Sequence, residues 1–320
     1  MKPARRVLLV LALVMSAPTG AKAMAAVHDC EDAASLPPEA SADDRRIACT
    51  IPPAYRFDVS VAEHIGKRIR RHDMAAWLTT DALRDAGHFN AIPGDGRGWL
   101  TEEDDESVWT GYFTEIDGQL LVFAEARMYW EPFGARDARV PAPLRPATEH
   151  QRHRLQALSL ARAQPHNVCT NASYNTVTFE LEEDGETRIL VFLMPPMEDA
   201  RVQLGGYHMF RVSADGKTVL DHFAQTKGCL EMATDDLKLA KHLVVSHDLS
   251  ATPTMFHVFM SLQYRKPVLV LTTQNDRAWR VENGMIAPVH PDDPAYKTMR
   301  EWSDSLEPVH HPVETSSRHG

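Results

Sequence analysis

Basic charge is in short supply. Lys and Arg number 34 against 44 Asp and Glu, and the formal net charge is -10 at pH 7. Nucleic-acid binders carry a basic footprint, so no nucleic-acid partner is expected. Long apolar runs are missing as well. The longest, Val7–Met15, is far short of the ~20 residues that a spanning helix needs, which excludes a transmembrane anchor by sequence. Catalytic signatures are absent in turn. There is no GxSxG elbow and no HExxH helix. Ile92–Gly98 (IPGDGRG) is glycine-rich, but Trp99 stands where a phosphate loop needs Ser or Thr after Gly-Lys. The acidic run Thr101–Ser107 lacks the alternate ligands and bend glycine of a calcium loop. Ser246, His247 and Asp248 are consecutive, so on a strand their side chains diverge and cannot converge as a triad.

Cysteine is scarce but informative. The chain has four, Cys30, Cys49, Cys169 and Cys229, with no CxxC spacing. Lys2, Arg5 and Arg6 precede the short apolar run, and Ala21-Lys22-Ala23 offers a small-x-small cleavage site. This pattern predicts a secretory signal peptide over 1–26 and a periplasmic or secreted product. Its removal leaves 30 basic against 44 acidic residues. An oxidising compartment and an even cysteine count predict two disulfides. Cys30–Cys49 and Cys169–Cys229 are the favoured pairs among three connectivities.

Apolar residues make up 43% of the chain, enough for a sizeable core. Ser60-x-x-Glu63 reads as a capping box opening one long or two short helices that end at Gly87. Thr148-x-x-Gln151 reads as a second box, on a helix stopped by Pro165 with Leu155, Leu158 and Ala161 inward. Elsewhere the apolar period is two. Asp117-Gly118, Asp184-Gly185, Asp215-Gly216 and Asn283-Gly284 each sit between apolar runs, the strongest local hairpin signal. The fold expected is α+β, with helices and a β-hairpin in an N-terminal part (27–146) and an antiparallel, hairpin-rich sheet in a C-terminal part (147–288). The proline-rich Pro132–Pro146 is the expected boundary, a short helix is expected at Thr234–Lys241, and 289–320 is expected to be a loosely attached tail.

Histidines supply the candidate site. LVVSHDLSATPTMFHVF reads as two strands around a loop, so His247 and His257 are expected to meet across a hairpin. With Asp248, Asp221 or His222 nearby they would form a divalent-metal or acid–base site. The competing expectation is a structural pair bonded to loop hydroxyls such as Thr252 and Thr254. His208 follows Gly205-Gly206-Tyr207, where two glycines permit a bend that turns the strand or aims Tyr207 and His208 into a cleft. Trp99, Trp109, Trp130 and Trp279 read as core or half-buried packing, with a sugar-binding face the alternative.

The segments GGYHMFRVSADGKTV, ATPTMFHVFMSLQYRKPVLVLTT and WRVENGMI, with RHDMAAWLTTDAL and RGWLT, are similar to a group of exported bacterial proteins without an assigned activity. The resemblance spans most of the chain after the leader. It implies export and a shared architecture, and carries over no site residue. VVSHDLSATPT also resembles the zinc-dependent deubiquitinase-like and RadC-like metal-binding fold in His247, Ser250 and Pro253. It departs from that pattern at Leu249, which replaces the second histidine, and lacks the following acid.

The functional expectation is a non-catalytic binding or structural module of the cell envelope, with no cofactor and an envelope or secreted protein as partner. A metal-assisted hydrolase using His247 and His257 is the alternative. The candidate binding residues are His208, His247, Thr254 and His257.

Overall fold

The computed structural model describes residues 36–37, 39–183, 185–197, 201–294, 296–297 and 299. The leader, Cys30 and with it the Cys30–Cys49 pair, Asp184, and the end of the expected tail lie outside the described residues.

Two helices open the described chain. Helix α1 (Ala42–Thr50) starts at Ser41, whose hydroxyl and Asp44 close a capping box. Helix α2 (Arg56–Asp85) is 30 residues long and runs through the middle of the molecule. It begins one turn before the expected Ser60 box. Glu63 is turned inward instead, accepting from Arg46 Nη2 at 2.5 Å and from the Ile286 amide at 2.6 Å. A buried carboxylate with two donors is worth more here than a cap on an exposed helix end. Gly87, at φ 75°, turns the chain away after the helix.

The far half of α2 packs on a five-stranded antiparallel sheet. Its strands are β1 (Asp95–Glu103), β2 (Ser107–Ile116), β3 (Gln119–Trp130), β4 (Phe133–Arg139) and β5 (Arg145–Pro146). Leu83 meets Tyr112 and Phe123, and Ala75 meets Val108 and Met128. The proline-rich segment expected as a boundary is therefore part of this sheet: β4 and β5 both pair with β3. Helix α3 (Glu149–Ala163) follows directly, and its Thr148–Gln151 capping box forms as predicted. Arg154 on α3 is buried. It donates to Thr101 O at 2.7 Å and to Thr178 Oγ1 at 3.1 Å, so one guanidinium stitches the first sheet to the second.

That second sheet has the order β10-β9-β7-β6, from β6 (Asn175–Glu183), β7 (Glu186–Met194), β9 (His208–Ser213) and β10 (Val219–Ala224). One face takes Leu158 and Ala161 of α3 against Ile189, Val191 and Phe210. The other joins the main core, where Phe179, Leu190 and Phe192 meet Val59, Ile65 and Ile69 of α2. Strands β8 (Arg201–Gln203) and β11 (Glu231–Ala233) form a small ladder, followed by helix α4 (Thr234–Leu239). The expected hairpins are present. Asp117 and Gly118, and Asn283 and Gly284, all have positive φ, as a two-residue type I′ turn requires. Gly185 and Gly216 also have positive φ at their turns.

The last sheet corrects one expectation. Strand β12 (Leu243–His247) pairs parallel with β13 (Val268–Thr272), and β14 (Arg277–Glu282) and β15 (Met285–Pro288) complete it. A parallel pair needs a crossover, and the segment read as the second strand of a hairpin supplies it as helix α5 (Met255–Tyr264). Every residue from Phe256 to Ser261 is buried, so this run has no polar face whose period could reveal a helix. The helix starts at Thr254 through a box with His257, and it crosses α2 at Gly66, where a Cβ would sit 2.5 Å from Val258 Cβ. The chain beyond Pro288 is not loose at first. Val289 and Met299 are buried against Leu269 and Leu271.

Candidate functional site

Sheet geometry separates Tyr207 from His208. Gly206, at φ 81°, bends the chain into β9, and neighbouring strand residues then point to opposite faces. Tyr207 enters the main core and donates to Gln203 O at 3.0 Å. His208 points to the α3 face, and the two do not share a cleft. A Cβ on Gly206 would lie 2.6 Å from Cys169 Sγ, so the bend packs directly on the Cys169–Cys229 disulfide, which forms as expected.

His208 is buried and its hydrogen bonds fix its tautomer. Nε2 lies 2.9 Å from Asn167 O, and a carbonyl only accepts, so Nε2 carries the proton. Nδ1 then accepts from His222 Nε2 at 3.1 Å. His222 keeps one lone pair, on Nδ1, on the more exposed side of the pair. Its ring stacks flat on Phe210 at 4.2 Å between centroids. His166, just after α3, approaches edge-on at 5.0 Å from the His208 ring. Burial, with the neighbouring His166 and His222, pushes the His208 pKa down to about 4. Burial and His166 lower His222 as well. Both rings are therefore neutral at pH 7.

Asn167, His208 and His222 line a groove of about 480 Å³, together with Phe223, Ala224, Thr226, Lys227 and Leu249. Its walls are held from outside. The disulfide ties the Asn167 loop to the loop carrying Thr226 and Lys227, and Asn167 Nδ2 donates to Lys227 O at 2.8 Å. On the rim, Lys227 Nζ pairs with Asp248 at 2.5 Å. A second hollow, about 360 Å³, lies on the first sheet over Trp109, Glu125 and Arg139. There the polar groups satisfy one another: Glu125 accepts from Trp109 Nε1 at 3.0 Å and from Arg139 at 2.6 and 2.8 Å.

His247, His257 and Thr254 come together, although through a strand end and a helix start. The two rings lie 5.0 Å apart and edge to face. His257 Nδ1 accepts from the Thr254 amide at 3.0 Å, and Thr254 Oγ1 donates to Gln225 Oε1 at 2.7 Å. Ser250 Oγ gives its proton to Thr252 O at 2.6 Å, so His247 Nε2 donates to Ser250 at 2.8 Å. Burial lowers the pKa of both, His257 most strongly. One nitrogen of each ring is committed to a loop group, His247 to the Ser250 hydroxyl and His257 to the Thr254 amide. Among the described residues, no three His, Cys, Asp or Glu side chains are placed to hold a metal. His222 is not in this group; it stands beside His208.

Gln225 links the clusters. Its side chain takes the Thr254 hydroxyl, and its amide donates to Tyr207 O at 3.0 Å, beside His208. His166, Asn167, His222 and Gln225 were not visible as a group in the sequence. The only local signal was His208 two residues after a glycine pair. Trp109 and Trp279 are buried with their N–H groups bonded to Glu125 and Thr272, and neither offers a sugar-binding face. Compared with protein-family models, curated proteins and solved structures, the chain matches none.

Proposed function

We propose that this protein is an exported, non-catalytic binding module of the cell envelope, and that the His208–His222 groove is its recognition site. One observation carries the reading. His208, Asn167 and His222 are oriented by inward hydrogen bonds and a covalent clamp, which leaves His222 Nδ1 as an oriented acceptor beside the apolar Ala224 and Leu249. A few oriented polar groups in a largely apolar, pre-formed concavity are what binding sites share. No serine or cysteine nucleophile with a hydrogen-bonded base lines it. The leader pattern and the internal disulfide support export. No described helix is long and apolar enough to cross a membrane. The partner expected is an envelope or secreted protein. No specific contact favours the hydrolase alternative at His247 and His257.

The test is retention from envelope extract on the immobilised mature chain, run beside Leu249→Glu, which places a charge on the groove wall. A partner held by the parent and lost by the variant supports the reading. If both retain the same proteins, or neither retains any, the groove is not a recognition site.

A further inference from the structure

We propose that the groove takes an extended peptide segment of another protein, added as a further strand along the outer edge of β10. The proposal rests on the binding-module reading above and adds the chemistry of the partner.

Among the described residues, strand β10 is the last strand of its sheet and pairs only with β9. The direction of its free groups follows from one bond. Gln225 N–H points inward to Tyr207 O, so by strand alternation Phe223 and Asp221 also point to β9, while His222 and Ala224 point outward. The His222 amide confirms this. It donates not to β9 but to its neighbour's carboxylate, Asp221 Oδ1, at 2.8 Å. A carboxylate that occupies an outward amide blunts an exposed edge, and it can swing away without disturbing any strand pair.

Two other edges, β4 and β6, are guarded differently. Strand β4 carries Asp137 in the left-handed region (φ 57°) and a register break opposite Glu125 and Arg127, which spoils continuous pairing. Strand β6 packs against β1 and α2. Beside β10 there is instead the groove, opening between its end and Leu249. Residues directly opposite on neighbouring strands share a face. A peptide residue paired with Ala224 would thus place its side chain on the face of His208 and His222, in the groove. The walls on that face, Ala224 and Leu249, suit an apolar anchor, and His222 Nδ1 accepts from a hydroxyl or amide two residues along, on the same face. Backbone pairing with a pocket for alternate side chains is the usual logic of strand addition.

Phage-displayed random dodecapeptides serve as the probe, and the best enriched sequence is synthesised and titrated by calorimetry. Ala224→Pro deletes one outward N–H while leaving every groove side chain except a methyl, and proline is tolerated on an edge strand with its nitrogen facing solvent. The expected results are binding at least tenfold weaker to Ala224→Pro and slowed amide exchange at His222 and Ala224 in the parent complex. The same peptide, N-methylated at alternate positions, should also bind at least tenfold weaker to the parent protein. That arm remains decisive if the proline variant fails to fold. If Ala224→Pro and N-methylation change nothing but Leu249→Glu abolishes binding, strand addition is wrong and the recognition site stands. If no peptide is enriched over a blocked control, the peptide inference is overturned, and the binding reading is judged by envelope retention alone. If the parent chain dimerises in solution and Ala224→Pro is monomeric, the edge serves a second copy and the foreign peptide is excluded.

Discussion

Thr254 caps α5 and donates its hydroxyl to Gln225 in the same place where its amide meets His257. Thr254→Val keeps the shape and loses both oxygen functions, so a loss of about 1–2 kcal/mol is expected, measured by urea unfolding, with Thr254→Ser close to the parent. His208 is the second test. His208→Phe leaves Asn167 O and His222 Nε2 without their partner, and a loss of roughly 1–3 kcal/mol is expected. Gly66 is the third. Its Cβ would fall 2.5 Å from Val258 Cβ and 2.6 Å from Met255 O, closer than real contacts allow. Gly66→Ala should destabilise by roughly 1–3 kcal/mol despite the better helix propensity of alanine, because overpacking a helix crossing outweighs it. Thermal melts showing Gly66→Ala as stable as the parent would refute the close crossing.

Elements differ in how far they can be read from sequence. The Asp-Gly and Asn-Gly turns are local: two residues tolerate positive φ and the flanking alternation does the rest. Thr148 is equally local, since its cap needs only Gln151. Helix α5 is not. Its run MFHVFMSLQY is apolar on nearly all sides because it lies between α2 and the last sheet, and only the tertiary structure distinguishes a buried helix from a buried strand there. The His208–His222 pair was hidden for another reason. It depends on the β9–β10 register, which carries a break between Val219 and Asp221 that no local rule anticipates. A hairpin reading of His247 and His257 has the wrong geometry but the right proximity, because a strand end and the following helix start are joined by a short loop. The disulfide acts at this scale as well. It spans 60 residues, so replacing both Cys169 and Cys229 with alanine should cost about 4 kcal/mol by the loop-entropy model. Chemical denaturation of the double variant checks it, and a change in groove affinity larger than its change in stability would show that the clamp shapes the site.

The whole molecule carries a predictable response to acid. His72, His208, His247 and His257 all have folded pKa values below the ordinary histidine value, with burial the first cause in each. The unfolded chain therefore takes up protons first, so stability present above pH 6.5 is lost as pH falls, for His208 down to about 4. Asp73 works in the opposite direction. Burial raises its pKa to about 6, so its contribution is present below the unfolded value of 3.8 and lost as pH rises through 6. Asp73→Asn should make the acid-side fall between pH 6.5 and 4 steeper than in the parent, read as urea midpoints against pH. The same molecule has a consequence for how it is made. Glu63 is synthesised 223 residues before Ile286, whose amide it accepts deep in the interior. The central helix is thus complete long before the strand that closes over it emerges. Nascent chains that stop short of β15 leave Glu63 with Arg46 as a donor but without the Ile286 amide, so its hydrogen bonding is completed only by the C-terminal sheet.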